Sequence, residues 1–110
     1  MIRIDAAWLA VKPMDMRAGP DTALARVVAV FGAAQPHHAY VFANARATRM
    51  KVLVHDGVGL WLAARRLHAG KFNWASSPQP SLPISTTQVG ALVLGLPWQQ
   101  VGHTGAITLV

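Results

Sequence analysis

The step Asp56-Gly57-Val58-Gly59 most constrains the fold, because it separates two apolar segments with the chemistry of a tight turn. Glycine enters the positive-φ conformations that two-residue hairpin loops need, and aspartate stabilises such turns through its side chain. Residues 50–55 and 60–67 are therefore predicted to pair as antiparallel strands. The second segment also fits a helical stripe of leucine and alanine, but the turn chemistry favours the hairpin.

A two-residue loop in this turn sets the register of the predicted hairpin. Counting back from the loop, Lys51 faces Ala64 and Arg49 faces Arg66. Like charges directly opposed on a strand pair are unfavourable. The open end of the hairpin therefore indicates an external anion that relieves this repulsion.

Two helices are predicted outside the hairpin. The first covers residues 20–31: Pro20 suits a first helical turn, and the apolar residues that follow recur at the spacing of one buried face. The second covers residues 86–95, after a capping box in which Ser85 is followed three residues later by Gln88.

Short β-branched and aromatic segments predict further strands at residues 8–11, 40–42 and 71–74. Three prolines between residues 75 and 83 exclude a helix and indicate a tether within one domain. The chain is thus predicted to be α+β, with a small, mostly antiparallel sheet, a hairpin meander, the hairpin of residues 50–67 at its centre and two flanking helices. Residues 1–98 are expected to form a single domain, and residues 99–110 a loose C-terminal tail.

Positive charge is concentrated around the hairpin. The chain has 10 lysines and arginines against 4 aspartates, with a net charge of +6. A small domain so charged attracts polyanions, although the codon bias of a GC-rich genome also gives such a composition. Six cations fall between residues 46 and 71, where Asp56 is the single acid. These candidate phosphate contacts are Arg46, Arg49, Lys51, Arg65, Arg66 and Lys71.

Trp61 and Trp74 lie close to these cations in the sequence and could stack on bases or contact a partner. Two alternatives remain open. Tryptophans in a domain of this size are more often part of the core, and strand arginines can form the solvated face of a sheet.

Catalysis is not expected. Metal-dependent phosphoryl transfer needs several converging carboxylates, whereas Asp21 suits a helix start and Asp56 a turn, which leaves two acids. Cysteine is lacking, and the five histidines do not have the spacing of a zinc pair. We therefore expect no metal and no cofactor. With no signal-peptide pattern and no apolar run of about 20 residues, a cytoplasmic protein without a membrane segment is expected.

Three sequence blocks span nearly the whole chain in order. The first is Met-Asp-Met-Arg-Ala-Gly-Pro-Asp at residues 14–21, and the last runs from Gln88 to Trp98. The second, residues 41–74, contains the Asp-Gly-Val-Gly turn and ends in Arg-Arg-Leu-His-Ala-Gly-Lys-Phe-Asn-Trp. In content and spacing they resemble the Orf2, or TnpB, accessory proteins of the bacterial insertion-sequence sixty-six family, whose central pattern is close to F-R-N-x-x-x-x-R-x-K-x-L-x-x-D-G-x-G.

The resemblance implies a helper of DNA transposition that binds DNA at the element ends, the transposase, or both. It carries over no catalytic residue, because none is established in the family. A domain of this size leaves apolar residues exposed, which allows a homodimer. The family is richer in arginine and lysine after Phe42 and after the last tryptophan, so a protein-interaction or dimerisation module without nucleic-acid contact is the alternative.

Overall fold

The computed structural model describes residues 3–100, which form a five-stranded sheet with one helix packed on each face. The elements in chain order are β1 (Ala6–Ala10), α1 (Pro20–Phe31), β2 (His38–Ala43), β3 (Arg49–His55), β4 (Leu60–Arg66), β5 (Ser81–Ile84), α2 (Thr86–Val93) and a 3-10 turn (Trp98–Gln100). The predicted α+β class is confirmed. The predicted tail begins in the 3-10 turn, and its residues 101–110 lie outside the described part of the chain.

The strand order is β4-β3-β2-β1-β5. Strands β2, β3 and β4 form an antiparallel meander, β5 is antiparallel to β1, and β1 runs parallel to β2 through the crossover of α1. The sheet is thus mostly antiparallel, as predicted. The central position predicted for the hairpin is wrong, because β4 is an edge strand. The remaining strands, β1 and β5, are added on the other side of β2, so that β2 is the central strand.

The register of the hairpin is confirmed. Arg49 pairs with Arg66, and Lys51 pairs with Ala64. The Asp56 carboxylate accepts hydrogen bonds from the backbone N–H groups of Val58 and Gly59, at 2.9 and 2.7 Å respectively. Gly57 has a φ of 87°, which explains why the turn requires glycine. Residues 60–66 are a strand, so the helical alternative is excluded.

Two predictions about residues 71–84 are wrong. Residues 71–74 form no strand but an irregular segment. The ring of Phe72 is buried, and the indole N–H of Trp74 donates a hydrogen bond to the Ala10 carbonyl. The proline-rich tether ends as β5, in which Pro83 lies opposite Trp8. An edge strand tolerates proline because one side of its backbone needs no partner.

The core has two halves, divided by the sheet. Tyr40, Phe42 and Leu53 pack with α1 on one face, while Leu9 and Val41 pack with α2 on the other. Strand β2 is therefore buried on both faces, and after His38 its sequence contains only alanine, valine and aromatic residues.

Both predicted helices are confirmed. Helix α1 has the predicted bounds, and α2 ends two residues earlier than predicted. The capping box is formed, since the backbone N–H of Gln88 donates to Ser85 Oγ at 3.0 Å and that of Ser85 donates to Gln88 Oε1 at 2.8 Å.

Candidate nucleic-acid interface

Strand alternation divides the cations of the hairpin between the two faces of the sheet. Arg49, Lys51 and Arg66 share the face of α1, because they lie in phase with the buried Leu53. Arg65 lies on the face of α2, opposite Met50. The sequence cluster is therefore not one continuous surface.

Four of the six cations lie together where β3 begins and β4 ends, a region that we call the basic end. Arg49 and Arg66 are direct neighbours across the strands. Arg46 belongs to the turn between β2 and β3, and Lys71 is brought beside this turn because the Phe72 N–H donates to the Ala47 carbonyl at 2.8 Å. All four side chains are exposed. The basic end comprises Arg46, Arg49, Arg66 and Lys71.

No carboxylate of the described residues forms an ion pair with the basic end. Over residues 3–100, the ion pairs are Arg3–Asp5 at 2.8 Å and Arg17–Asp15 at 2.7 Å, and neither includes a member of the basic end. The Asp56 carboxylate is occupied at the other end of the hairpin. Neither Arg49 nor Arg66 therefore has an ion-pair partner among residues 3–100, and Asp15, which lines the adjoining cleft, is paired with Arg17.

Asn44 builds the turn that carries Arg46. Its Oδ1 accepts hydrogen bonds from the backbone N–H groups of Thr48 and Arg49 at 2.9 and 3.1 Å, and its Nδ2 donates to Thr48 Oγ1 at 2.9 Å. These bonds hold Ala47 at a φ of 56°, a conformation that non-glycine residues adopt rarely. The asparagine of the central family pattern therefore shapes the turn that carries Arg46.

Lys51 has a structural contact. Its Nζ donates to the carbonyl oxygen of Ala18 at 2.8 Å, in the loop that precedes α1. The side chain is half-buried, in contrast to the exposed Arg49 two residues earlier. This bond holds residues 13–18 against the hairpin.

Arg65 also contacts the backbone. Its Nε donates to the carbonyl oxygen of Val93, in the last turn of α2. A cation at this position satisfies a free helix carbonyl and interacts favourably with the helix dipole. Lys51 and Arg65 thus connect the hairpin to the segments on its two faces, and fewer of their hydrogen bonds remain for a ligand.

An open cleft of about 660 Å³ adjoins the basic end, between residues 13–17 and the turn of residues 44–49. It is lined by Arg46, Arg49 and Arg17, a cation that sequence reasoning missed. Arg17 hydrogen bonds with Asp15 through its side chain and its backbone N–H, which holds the pKa of Asp15 at about 2. The Met-Asp-Met-Arg block was the signal that could have identified Arg17.

The two candidate tryptophans have different environments. Trp74 is half-buried, and its indole N–H donates to the Ala10 carbonyl at 2.9 Å. Trp61 is 52% exposed, and its indole N–H donates to Asp56 Oδ2 at 3.0 Å. Together with bonds from the N–H groups of Gly59 and Val58, this contact lowers the pKa of Asp56. Trp61 thus presents its ring to solvent at the far end of β4 from Arg66.

Residues 3–100 contain no group of three histidine or aspartate side chains placed to hold a metal ion. Nor is any helix in this range long and apolar enough to cross a membrane.

A family model described as IS66 Orf2 like protein matches residues 5–103. The chain belongs to this family. Two proteins of Sinorhizobium fredii (strain NBRC 101917 / NGR234) are similar to this IS66 Orf2-like chain. Uncharacterized protein y4hO is 31% identical over 104 residues, 94% of this chain and 90% of its own length. Uncharacterized protein y4jC is 30% identical over 95 residues, 84% of this chain and 80% of its own length.

No solved structure gives a significant match. The family match confirms the resemblance that the three sequence blocks indicated. Of the blocks shared with the IS66 Orf2-like family, residues 41–74 form the hairpin and the turn of Asn44. Residues 14–21 include the loop that is held by Lys51.

Proposed function

We propose that this IS66 Orf2-like protein is a non-catalytic accessory factor of transposition that binds DNA through phosphate contacts at its basic end. The observation that carries the proposal is the pair Arg49 and Arg66, opposed on neighbouring strands with no acid partner in the described chain. Arg46 and Lys71 add to the same positive field. A phosphate between such cations relieves their repulsion and forms charge-assisted hydrogen bonds.

The proposal assigns different roles to the six sequence-predicted cations. The four members of the basic end contact phosphate, whereas Lys51 and Arg65 maintain the shape of the surface through backbone carbonyls. Phosphate contacts carry no sequence information, so the basic end supplies affinity and position rather than specificity.

The test is binding to a labelled duplex with the terminal inverted repeat of the element, titrated against salt beside an unrelated duplex. Affinity should fall steeply with salt on both duplexes, because counterions are released. Loss of Arg49 or Arg66 to glutamine should lower the salt slope by about one per residue. The matched control is Arg3→Gln. It removes one charge just before β1, at the end of the sheet opposite the basic end. Equal slopes for Arg49→Gln and Arg3→Gln would exclude the basic end as the contact.

A second candidate function is a protein-interaction module that contacts the transposase without DNA. The exposed ring of Trp61 favours it, because large aromatic side chains at the surface are typical of interface anchors. Absence of binding to either duplex at low salt, combined with retention of the protein on immobilised transposase, would favour this function.

A further inference from the structure

We propose that β4 pairs with β4 of a second copy, antiparallel and centred on Ala63, so that two sheets join into one. This interaction goes beyond the proposed DNA contact. Of the basic end only Arg66 lies in the pairing strand, and its side chain is on the face of α1 while its backbone would make the strand pair, so either proposal can fail without the other.

The outer edge of β4 is the basis of the inference. Within residues 3–100, no strand pairs with this edge. The strand is seven residues long, contains no proline, and is exposed at Trp61 and Ala63. A long edge of this kind presents a row of unpaired N–H and C=O groups, which natural proteins usually cover.

The hairpin bonds determine which backbone groups point outward. The Asp56 N–H donates to the Gly59 carbonyl, and the His55 carbonyl is used on the opposite side of β3 by the N–H of His37. In an antiparallel pair, alternate residues direct their backbone groups to the same neighbour. The backbone groups of Trp61, Ala63 and Arg65 therefore point to β3. Those of the intervening residues, Leu60, Leu62, Ala64 and Arg66, point to the free edge.

Self-pairing about Ala63 uses all of these outward groups. Leu60 then pairs with Arg66 of the second copy, and Leu62 pairs with Ala64, so every outward N–H and C=O of the strand has a partner. Centring the pair two residues later would place Arg65 directly against its own copy. Centring it two residues earlier would require residues of the turn to extend the strand.

The distribution of charge along β4 favours antiparallel over parallel pairing with a second copy. Trp61 of one copy lies opposite Arg65 of the other, on the face of α2, where a guanidinium can contact an indole ring. The two Arg66 side chains are separated by six residues, or about 20 Å along the strand direction. A parallel pair would instead oppose the arginines of the two copies. In the antiparallel pair, the basic end of each β4 therefore lies beside the Trp61 end of the other copy and away from that copy's own basic end.

The register can be tested by cross-linking, since the chain has no cysteine of its own. In the proposed pair, Ala63 faces Ala63 at a non-hydrogen-bonded site with Cα atoms about 4.5 Å apart, which suits a disulfide. Ala63→Cys should form a covalent dimer rapidly when diamide oxidises the two thiols. Ala64→Cys is the matched control, because its copies lie about 8 Å apart and cannot be bridged. Equal yields from the two variants would overturn the register.

Association itself is measured by sedimentation over about 1–500 µM, because a small interface forms weak dimers. Ala64→Pro removes an outward N–H and fixes φ, but it takes no hydrogen bond from β3; it should abolish association, while Ala64→Ser should retain it. A Trp61→Glu chain should associate about tenfold more tightly than a Trp61→Arg chain, because each substituted residue faces Arg65 of the partner. Equal losses in both would contradict the pairing.

Amide exchange distinguishes the second copy from other occupants of the edge. The amides of Leu62 and Ala64 should become protected as the concentration of the protein rises, in step with its mass. A wild-type chain that remains a monomer, whether these amides are protected by its own segments or open, would overturn the proposal. Protection that appears only when the transposase is added would also overturn it.

Discussion

The ammonium group of Lys51 lies 2.8 Å from the carbonyl oxygen of Ala18, which is 33 residues earlier in the chain. This bond connects β3 to the loop before α1, and so connects two of the three family blocks. The loop lines the open cleft beside the basic end. A cation that the sequence pattern marks for ligand binding thus has a structural contact.

Replacement of this lysine should separate its structural role from binding. Lys51→Met should lower the free energy of unfolding by about 1–2 kcal/mol, because a charge-assisted bond to a half-buried carbonyl is lost. Arg49→Met is the control two residues away on the same face; it should change stability by less than about 0.5 kcal/mol and weaken DNA binding. Urea unfolding of the two variants measures the difference. Equal stabilities would contradict the role given to Lys51.

The neighbouring arginines of β4 should also differ. Arg65→Gln should destabilise the fold by about 0.5–1 kcal/mol and increase amide exchange in the last turn of α2, because the Val93 carbonyl loses its cation. Arg66→Gln should leave both properties unchanged and reduce the salt slope of DNA binding. Hydrogen exchange at residues 91–95, followed by binding titrations, provides the measurement. Loss of α2 protection in Arg66→Gln alone would reverse the assignment.

The Asp15–Arg17 ion pair, in the loop before α1, makes the stability of the protein depend on pH in the acid range. Its pKa is held at about 2 by Arg17, below the ordinary value of 3.8. The stabilisation from a depressed carboxyl pKa is fully present above the unfolded pKa and is lost as the pH falls through the folded pKa. Thermal unfolding should therefore show a loss of stability between pH 4 and pH 2 that is smaller in Asp15→Asn. Asp21→Asn is the control, because Asp21 has no ion pair among the described residues; an equal effect of both would contradict the prediction.

Trp74 should act as a core anchor rather than a stacking platform. Trp74→Phe removes the indole N–H and leaves the Ala10 carbonyl without its donor, which should cost about 1 kcal/mol. DNA affinity and its salt slope should not change. Trp61→Phe, at an exposed ring, should cost less stability. A drop in DNA affinity in Trp74→Phe at unchanged stability would instead identify Trp74 as a base contact.

Much of the local structure was predictable because its causes lie within a few residues. The Asp56 carboxylate caps the turn two and three residues ahead, and Ser85 and Gln88 cap α2 across three residues. The tight loop then determines the pairing of Arg49 with Arg66. Family membership was also predictable, since the motifs occur in order over most of the chain.

The errors concern partners that are distant in the chain. Residues 71–74, with two aromatic side chains, have the composition of a strand, but Phe72 and Trp74 are held by the core and by the Ala10 carbonyl rather than by a neighbouring strand. The proline-rich segment pairs as β5 only because β1, whose residues lie 71–77 positions before their partners, has a free edge. For the same reason the hairpin is at the edge of the sheet, since strands added beyond β2 decide which strand is central.

The amino-acid sequence by itself determined the turn, the caps, the strand register of the hairpin and the presence of a positive cluster. These depend on backbone conformations and side-chain contacts between near neighbours, which residue type and spacing specify directly. Only the tertiary structure decided which cations are held by backbone carbonyls and which are left without such a contact. Alternation across β4 sends Arg65 to the carbonyl of Val93, and packing of the first loop gives Lys51 the carbonyl of Ala18. Such contacts require the hairpin, the loop and α2 to be assembled first, so no local pattern specifies them.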